Sequence, residues 1–125
     1  MVARLALIVD DNAFNLKLLR DVLRFEGYRT AEAATATSAL AAAAAEPPDV
    51  VLLDVGLPDM NGVDALALLR ADPRTGSVPV MAVTSSAMVG DRERLIGAGF
   101  DDYLAKPISI RELVERVRRL CEPDG

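Results

Sequence analysis

The stretch Asp49-Val50-Val51-Leu52-Leu53-Asp54 predicts the architecture of the chain, because consecutive apolar residues are typical of a strand buried on both faces of a parallel sheet. Asp54 closes this run, and a second apolar run at residues 5–9 is followed directly by Asp10 and Asp11. A carboxylate at the end of a buried strand is costly unless another group compensates it. Acids at the ends of two such strands therefore indicate that they share one site.

Two further predicted strands end in polar residues of a different kind. Thr84 closes the apolar run that begins at Val78, and Lys106 follows the run that ends at Ala105. In an open parallel α/β sheet, ligands bind outside the carboxyl ends of the strands. We therefore expect Thr84 and Lys106 to lie near the acids.

Apolar runs and helical patterns alternate five times along the chain, which predicts an α/β fold with a mostly parallel sheet. The predicted strands lie at residues 5–9, 28–33, 50–53, 78–84 and 102–105. The predicted helices lie at residues 12–26, 63–72, 89–97 and 110–120, with a further helix between the second and third strands. That helix begins at residue 36 or 38 and ends at residue 45.

Several helix ends carry residues typical of that position. Gly27 suits the C′ position after the first helix. Thr35 or Thr37 is the expected N-cap of the second helix, and Pro47-Pro48 ends it. The last helix begins with an S-x-x-E capping box formed by Ser109 and Glu112. Ile108 and Leu113 are placed for the accompanying hydrophobic staple.

Apolar residues at helical spacing indicate which faces of the helices are buried. In the first helix they are Phe14, Leu18, Leu19, Val22 and Leu23. In the last helix they are Ile110, Leu113, Val114, Val117 and Leu120. The fourth helix has few such residues, namely Met88, Leu95 and Ile96. We therefore expect the fourth helix to be the least firmly held.

The length of 125 residues fits a single domain, so we expect residues 1–125 to form one unit. No apolar stretch approaches the ~20 residues of a membrane span. The first nine residues also lack the pattern of a signal peptide. These features predict a cytoplasmic protein without a membrane partner.

The composition excludes several classes of function. A net charge of −5 argues against nucleic-acid binding, which needs a basic face. The sequence contains no histidine, which excludes Ser-His-Asp triads and His-ligated zinc, and any phosphohistidine would have to belong to a partner. The single cysteine, Cys121, cannot form an internal disulfide, and we expect it to be a buried or half-buried structural thiol.

The charges of the acids and of Lys106 indicate which chemistry the predicted site supports. Two carboxylates about 4 Å apart repel by roughly 4 kcal/mol at an effective dielectric of 20, so a cluster needs a cation. Oxygen ligands suit Mg²⁺, and Lys106 offers a second positive charge. A carboxylate can also act as a nucleophile toward phosphorus. Asp54 is the candidate because it stands alone on the central strand, whereas Asp10 and Asp11 are better placed to hold the metal.

Taken singly, these residues have plainer interpretations. Acidic pairs at loops, such as Asp10 and Asp11, are usually solvated or capping residues, and Thr84 alone is more often a turn hydroxyl. The order and spacing of the whole set favour one site.

The same residues carry a resemblance to a known family. The matching segments are Val9-Asp10-Asp11-Asn12, Leu52-Leu53-Asp54, Leu57-Pro58 through Gly62, Val83-Thr84-Ser85 and Tyr103-Leu104-Ala105-Lys106-Pro107. Over essentially its whole length the chain resembles the receiver domain of two-component response regulators. Within that family it looks most like stand-alone receivers of the cell-polarity, DivK-like type. The resemblance implies a flavodoxin-like, doubly wound (βα)5 sheet with strand order 2-1-3-4-5.

The resemblance also implies roles for individual residues. Asp54 would be the phosphoacceptor, and Asp10, Asp11, Asp54 and the backbone carbonyl of Gly56 would bind Mg²⁺. The family usually has a side chain at the position of Gly56. Glycine has none, so the phosphoryl group would lose the cover that this side chain gives it.

Further implied roles concern residues on or directly after the fourth and fifth predicted strands. Thr84 and Lys106 would bind the phosphoryl group, and Thr84 and Tyr103 would switch position together. The bond between Lys106 and Pro107 would be cis.

As a receiver the chain would take its phosphoryl group from a histidine kinase or phosphotransfer protein and act on a downstream signalling protein, rather than be an enzyme. A phosphorylation-independent interaction module and the receiver part of a hybrid histidine kinase are alternatives. An aspartyl-phosphate hydrolase is disfavoured, because no second acid stands two residues after Asp10. A flavin-binding protein is disfavoured, because Asp10 and Asp11 would repel a phosphate unless a metal intervened.

Overall fold

The structure, a computed structural model, describes residues 3–85 and 90–121. Within these residues five strands alternate with five helices. They are β1 (Leu5–Val9), α1 (Ala13–Phe25), β2 (Arg29–Ala33), α2 (Ala36–Ala45), β3 (Val50–Asp54), α3 (Gly62–Ala71), β4 (Val80–Thr84), α4 (Asp91–Ala98), β5 (Asp102–Ala105) and α5 (Ile110–Cys121).

The strands form one parallel sheet in the order β2-β1-β3-β4-β5, which confirms the predicted fold class. Every residue of β1, β3 and β4 is buried, as their apolar sequences require. The register pairs Val9 with Leu53, Asp54 with Val83, and Thr84 with Ala105. The carboxyl ends of four strands therefore meet at one edge of the sheet.

A hydrophobic core lies on each face of the sheet. On one face α1 and α5 pack through Leu19, Leu23, Leu113, Val117 and Cys121. On the other face α2, α3 and α4 pack through alanines of α2, Leu66 and Leu69 of α3, and Leu95 of α4. Cys121 is buried, as expected for this thiol. Among the described residues, no helix has the length and apolarity that a membrane span requires.

Most helix ends agree with the residues that predicted them. Gly27 has a left-handed φ of 96°, which suits the residue after α1. Thr35, not Thr37, caps α2, and its hydroxyl accepts a hydrogen bond from the amide of Ser38. For α5, Ser109 accepts from the amide of Glu112 as predicted. The carboxylate of Glu112, however, pairs with Arg116 at 3.0 Å, so this part of the predicted box is replaced by a pair within the helix.

Strand boundaries differ from the prediction by one or two residues. β2 begins at Arg29 and β3 extends to Asp54. β4 begins at Val80, because the amide of Val78 bonds to the carbonyl of Thr75 and closes a turn. The predicted start of the fourth helix at Val89 lies outside the described residues.

Three apolar residues assigned to buried faces are exposed instead. Phe14 is 73% exposed, Ile110 is 52% exposed and Ile96 is 38% exposed. Phe14 and Ile110 lie in the first turns of α1 and α5. Helical spacing predicts which side of a helix faces the core, but it does not say how far along the helix the sheet extends.

The fourth helix has few anchors in the structure, as its sequence indicates. Of the eight residues of α4, Leu95 is the one that is buried, fewer than in any other described helix. Glycines with left-handed φ values, Gly90 and Gly99, flank it on both sides. This helix therefore depends on very little apolar burial.

Two glycines provide a test of packing beside β3. A Cβ at Gly62 would lie 2.6 Å from Cα of Val55, whereas a Cβ at Gly97 would have no atom within 4 Å. We expect Gly62→Ala to destabilise the protein by about 1–3 kcal/mol through overpacking. The control, Gly97→Ala, should stabilise it by about 0.5–1 kcal/mol, because alanine favours the helix. Urea unfolding measures both, and effects of the same sign would contradict the packing described here.

Candidate functional site

The three acids predicted at strand ends lie together at the carboxyl edge of the sheet. Asp54 closes β3, and Asp10 follows β1 with its amide bonded to the carbonyl of Ala33 at 3.1 Å. Carboxylate oxygens of Asp10, Asp11 and Asp54 all lie within 4.8 Å of one another. Asp10 and Asp54 are buried, whereas Asp11 is exposed, so the cluster opens to solvent beside Asp11.

Lys106 places its ammonium between two of these acids. Its Nζ lies 2.9 Å from Oδ2 of Asp10 and 3.1 Å from Oδ2 of Asp54. The lysine directly follows β5, and its amide donates to the carbonyl of Thr84 at 2.8 Å. The backbone at the end of β4 therefore fixes the base of this side chain.

The pKa of Lys106 reflects two opposing effects. Burial of the ammonium lowers its pKa, but the contacts with Asp10 and Asp54 together outweigh burial and raise the pKa above its ordinary value. Lys106 is therefore protonated at neutral pH. Because the folded-state pKa is raised, the stability from these contacts is present below the ordinary lysine pKa and is lost only as the pH rises through the raised value.

Lys106 alone does not neutralise three carboxylates. Oδ2 of Asp10 is buried, and among the described residues its charged partner is the ammonium of Lys106 at 2.9 Å. One ammonium among three carboxylates leaves an excess of negative charge, and such a cluster of hard oxygen atoms fits Mg²⁺, which prefers carboxylate and water ligands.

Backbone amides orient two of the carboxylates. The amide of Gly56 donates to Oδ1 of Asp54 at 2.9 Å, and the amide of Asn12 donates to Oδ1 of Asp10 at the same distance. The hydrogen bond from the amide of Asn12 to Asp10 was not predicted. Asn12 is the N-cap of α1, and this position is the one sequence signal that could have indicated it. These bonds leave the Oδ2 atoms directed toward Lys106.

Gly56 leaves the space beside Asp54 open. A Cβ at this position would lie 3.6 Å from Oδ1 of Asp54, which is ordinary van der Waals contact. Gly56 itself is exposed. A side chain at position 56 would therefore lie against the carboxylate of Asp54.

Thr84 and Tyr103 occupy neighbouring strands. Thr84 is buried at the end of β4, and its Cα pairs with Ala105, one residue before Lys106. Tyr103 is half-buried in β5 and packs against the core shared with α2, α3 and α4. The peptide bond between Lys106 and Pro107 is cis, as the resemblance implies.

Comparison with known proteins assigns the chain to a family. The family model for the response regulator receiver domain matches residues 6–118. The polar-differentiation response regulator DivK of Brucella ovis is 38% identical over 112 residues, which cover 90% of this chain and 91% of that protein. The chain is therefore DivK-like in sequence.

Solved structures agree with this assignment. A putative response regulator from Chloroflexus aurantiacus superposes with a TM-score of 0.90 at 33% identity, covering 96% of this chain and 98% of that one. The receiver domain of a sensor histidine kinase from Pseudomonas aeruginosa, which has a magnesium ion coordinated in its active site cleft, gives a TM-score of 0.87 at 35% identity, with the same coverage. The chain belongs to the receiver domain family of two-component response regulators.

Proposed function

We propose that this receiver accepts a phosphoryl group on Asp54 from a partner histidine kinase or phosphotransfer protein, within a phosphorelay. The observation that carries the proposal is the position of Asp54, within 4.8 Å of two further acids and 3.1 Å from the ammonium of Lys106. The 125 residues contain no histidine, so the phosphohistidine belongs to the partner.

In the transfer, a carboxylate oxygen of Asp54 attacks phosphorus as the phosphorus–nitrogen bond of the donor breaks. The donor imidazole leaves, and Asp54 becomes a mixed anhydride of carboxylic and phosphoric acid. Lys106 is close enough to neutralise charge on the phosphoryl oxygens, and Thr84 at the end of β4 offers a hydroxyl donor. Catalysis of this kind depends on positioned charge. In this proposal the chain acts as a phosphoryl acceptor rather than as an enzyme with its own small-molecule substrate.

Asp10, Asp11, Asp54 and the carbonyl of Gly56 would hold Mg²⁺. The bound ion supplies positive charge that offsets the phosphoryl oxygens. The fit of the cluster to a cation and the magnesium ion in the Pseudomonas aeruginosa receiver support this part of the proposal.

Phosphorylation changes the charge at Asp54 to about −1.5 to −2, and this change draws Thr84 and Lys106 toward the phosphoryl group. Tyr103 then moves into the space that Thr84 leaves. The affected surface consists of α4, β5 and α5, and a downstream signalling protein reads it. The weak anchoring of α4 and the half-burial of Tyr103 support a switch at this place.

Labelling of Asp54 tests the acceptor directly. With Mg²⁺ and a small acyl phosphate as donor, the wild-type protein should gain one phosphoryl group, and Asp54→Asn should gain none, because an amide is not a nucleophile here. Asp21→Asn, an exposed aspartate on α1, is the matched control and should label normally. Intact mass spectrometry measures the product, and equal labelling of Asp54→Asn would show that another residue accepts the phosphoryl group.

Gly56 should set the lifetime of the aspartyl phosphate. Gly56→Asn places a side chain over Asp54 and should slow hydrolysis, since a barrier higher by about 1 kcal/mol extends the lifetime roughly fivefold. Gly97→Asn makes the same exchange where the Cβ has no atom within 4 Å. The decay of phosphorylated protein after donor removal measures the effect. An unchanged lifetime in Gly56→Asn would mean that this space does not admit the attacking water.

Magnesium should stabilise the folded protein. Binding raises the free energy of unfolding by about 2.7 kcal/mol when the free ion is at 100 times its Kd. Asp11→Asn should show a much smaller increase, because it loses a ligand from the exposed side of the cluster. Urea unfolding with MgCl₂, compared with NaCl of equal ionic strength, separates binding from screening. Equal stabilisation by the two salts would rule out a specific ion site.

A further inference from the structure

A contact outside the site ties the loop that follows Asp54 to a different helix. The loop spans residues 55–61 and carries Asp59, whose side chain reaches the first turn of α2. Oδ1 of Asp59 accepts from the amide of Ala36 at 2.9 Å. Oδ2 accepts from the amide of Thr37 at 3.0 Å and from its hydroxyl at 2.8 Å. Three donors from one helix end therefore hold a single carboxylate.

This contact supplements the local cap of α2 and does not repeat it. Thr35 is the N-cap, and its side chain satisfies the amide of Ser38. The amides of Ala36 and Thr37 come earlier in the helix and have no partner within it. Asp59 satisfies both and places a negative charge at the positive end of the helix dipole. Hydrogen bonds from the amides of Ala36 and Thr37 lower the pKa of Asp59, so it is ionised at neutral pH.

The same loop is bound to the candidate site at its other end. Gly56 donates its amide to Asp54, and its carbonyl is the proposed backbone ligand of Mg²⁺. Leu57 is buried in the core, and the amide of Gly62 bonds to the carbonyl of Val55 at 3.0 Å. Asp59 therefore lies three residues after Gly56 on a short loop that is held at both of its ends.

We propose that Asp59 is a positioning residue, which sets the place of Gly56 through its contact with the N-terminus of α2. This inference rests on the proposed function of Asp54 and Mg²⁺. Asp59 touches neither the metal ligands nor the phosphoryl position, and it acts through the loop backbone. Without its carboxylate, the segment between Leu57 and Asn61 loses its anchor on α2, and Gly56 samples positions that suit neither Asp54 nor the ion.

The coupling works in both directions, because linkage between two sites is reciprocal. An ion that fixes Gly56 also fixes the loop, and the loop then holds the amides of Ala36 and Thr37 more firmly. Binding at the site is therefore felt at the N-terminus of α2, a helix that contributes no side chain to the acid cluster.

The test compares Asp59→Ala and Asp59→Asn with the control Thr35→Ala. Thr35→Ala weakens the start of α2 through its own cap but leaves the loop contact in place. Urea unfolding checks that all variants fold and ranks their stabilities. Amide hydrogen exchange, followed by NMR without metal, reports on Gly56, Ala36 and Thr37. A titration with MgCl₂ then gives the Kd of each variant.

In Asp59→Ala, exchange at Gly56 should accelerate, and Mg²⁺ should bind several-fold more weakly, less than the about 10–100-fold typical of groups that bond directly to metal ligands. Asp59→Asn should lie between it and wild type, since its amide retains one acceptor oxygen. Thr35→Ala should keep the wild-type Kd. Mg²⁺ should slow exchange at Ala36 and Thr37 in wild type but not in Asp59→Ala.

The inference is overturned if Asp59→Ala keeps both the wild-type Kd and the wild-type exchange at Gly56. It is also overturned if Thr35→Ala weakens Mg²⁺ binding as much, because the effect would then come from the stability of α2. Failure of the proposed function looks different. Wild-type protein would then neither bind Mg²⁺ nor accept a phosphoryl group, while exchange in the metal-free variants would still report on the loop contact.

Discussion

The arrangement of the site depends on the ammonium of Lys106, which lies between Asp10 and Asp54. This contact joins the end of β5 to the ends of β1 and β3, two strands that pair with each other but not with β5. Without the ammonium, mutual repulsion of the acids would act on closely packed strand ends, where water screens charge less than at an open surface. The lysine thus allows the sheet to keep its acids close together, and the remaining negative charge makes the same place attractive to a cation.

Some residues of the site extend from buried strands, and others lie on exposed loops. β1, β3 and β4 are buried along their full length, so Asp10, Asp54 and Thr84 extend from backbones with little room to move. Such preorganised groups stabilise developing charge without reorganising at the moment of reaction. Asp11 and Gly56, by contrast, lie on exposed loop segments. The proposed acceptor and the proposed ligands Asp11 and Gly56 therefore come from different parts of the fold.

Local patterns predicted much of this structure. The buried strands, the strand order implied by the family and the polar residues at strand ends all appear in the fold, because each depends on a continuous segment or on parallel topology. The exposure of Phe14 and Ile110 was missed, since helical spacing does not give the extent of the sheet. The contact of Asp59 with α2 was also missed, because it joins residues more than twenty positions apart and has no local signature. An acid among turn formers is too common to indicate its partner.

The fourth helix has a consequence for how much energy the signal must carry. Leu95 is its one buried side chain, and left-handed glycines adjoin both ends, so a shift of α4 against the sheet would disturb few apolar contacts. A conformational equilibrium between nearly equal states responds strongly to a small bias, and about 1.4 kcal/mol changes the ratio of two populations tenfold. A helix anchored by many large side chains would need a far larger bias for the same change. Under the proposed switch, the sparse burial of α4 therefore keeps the required bias small.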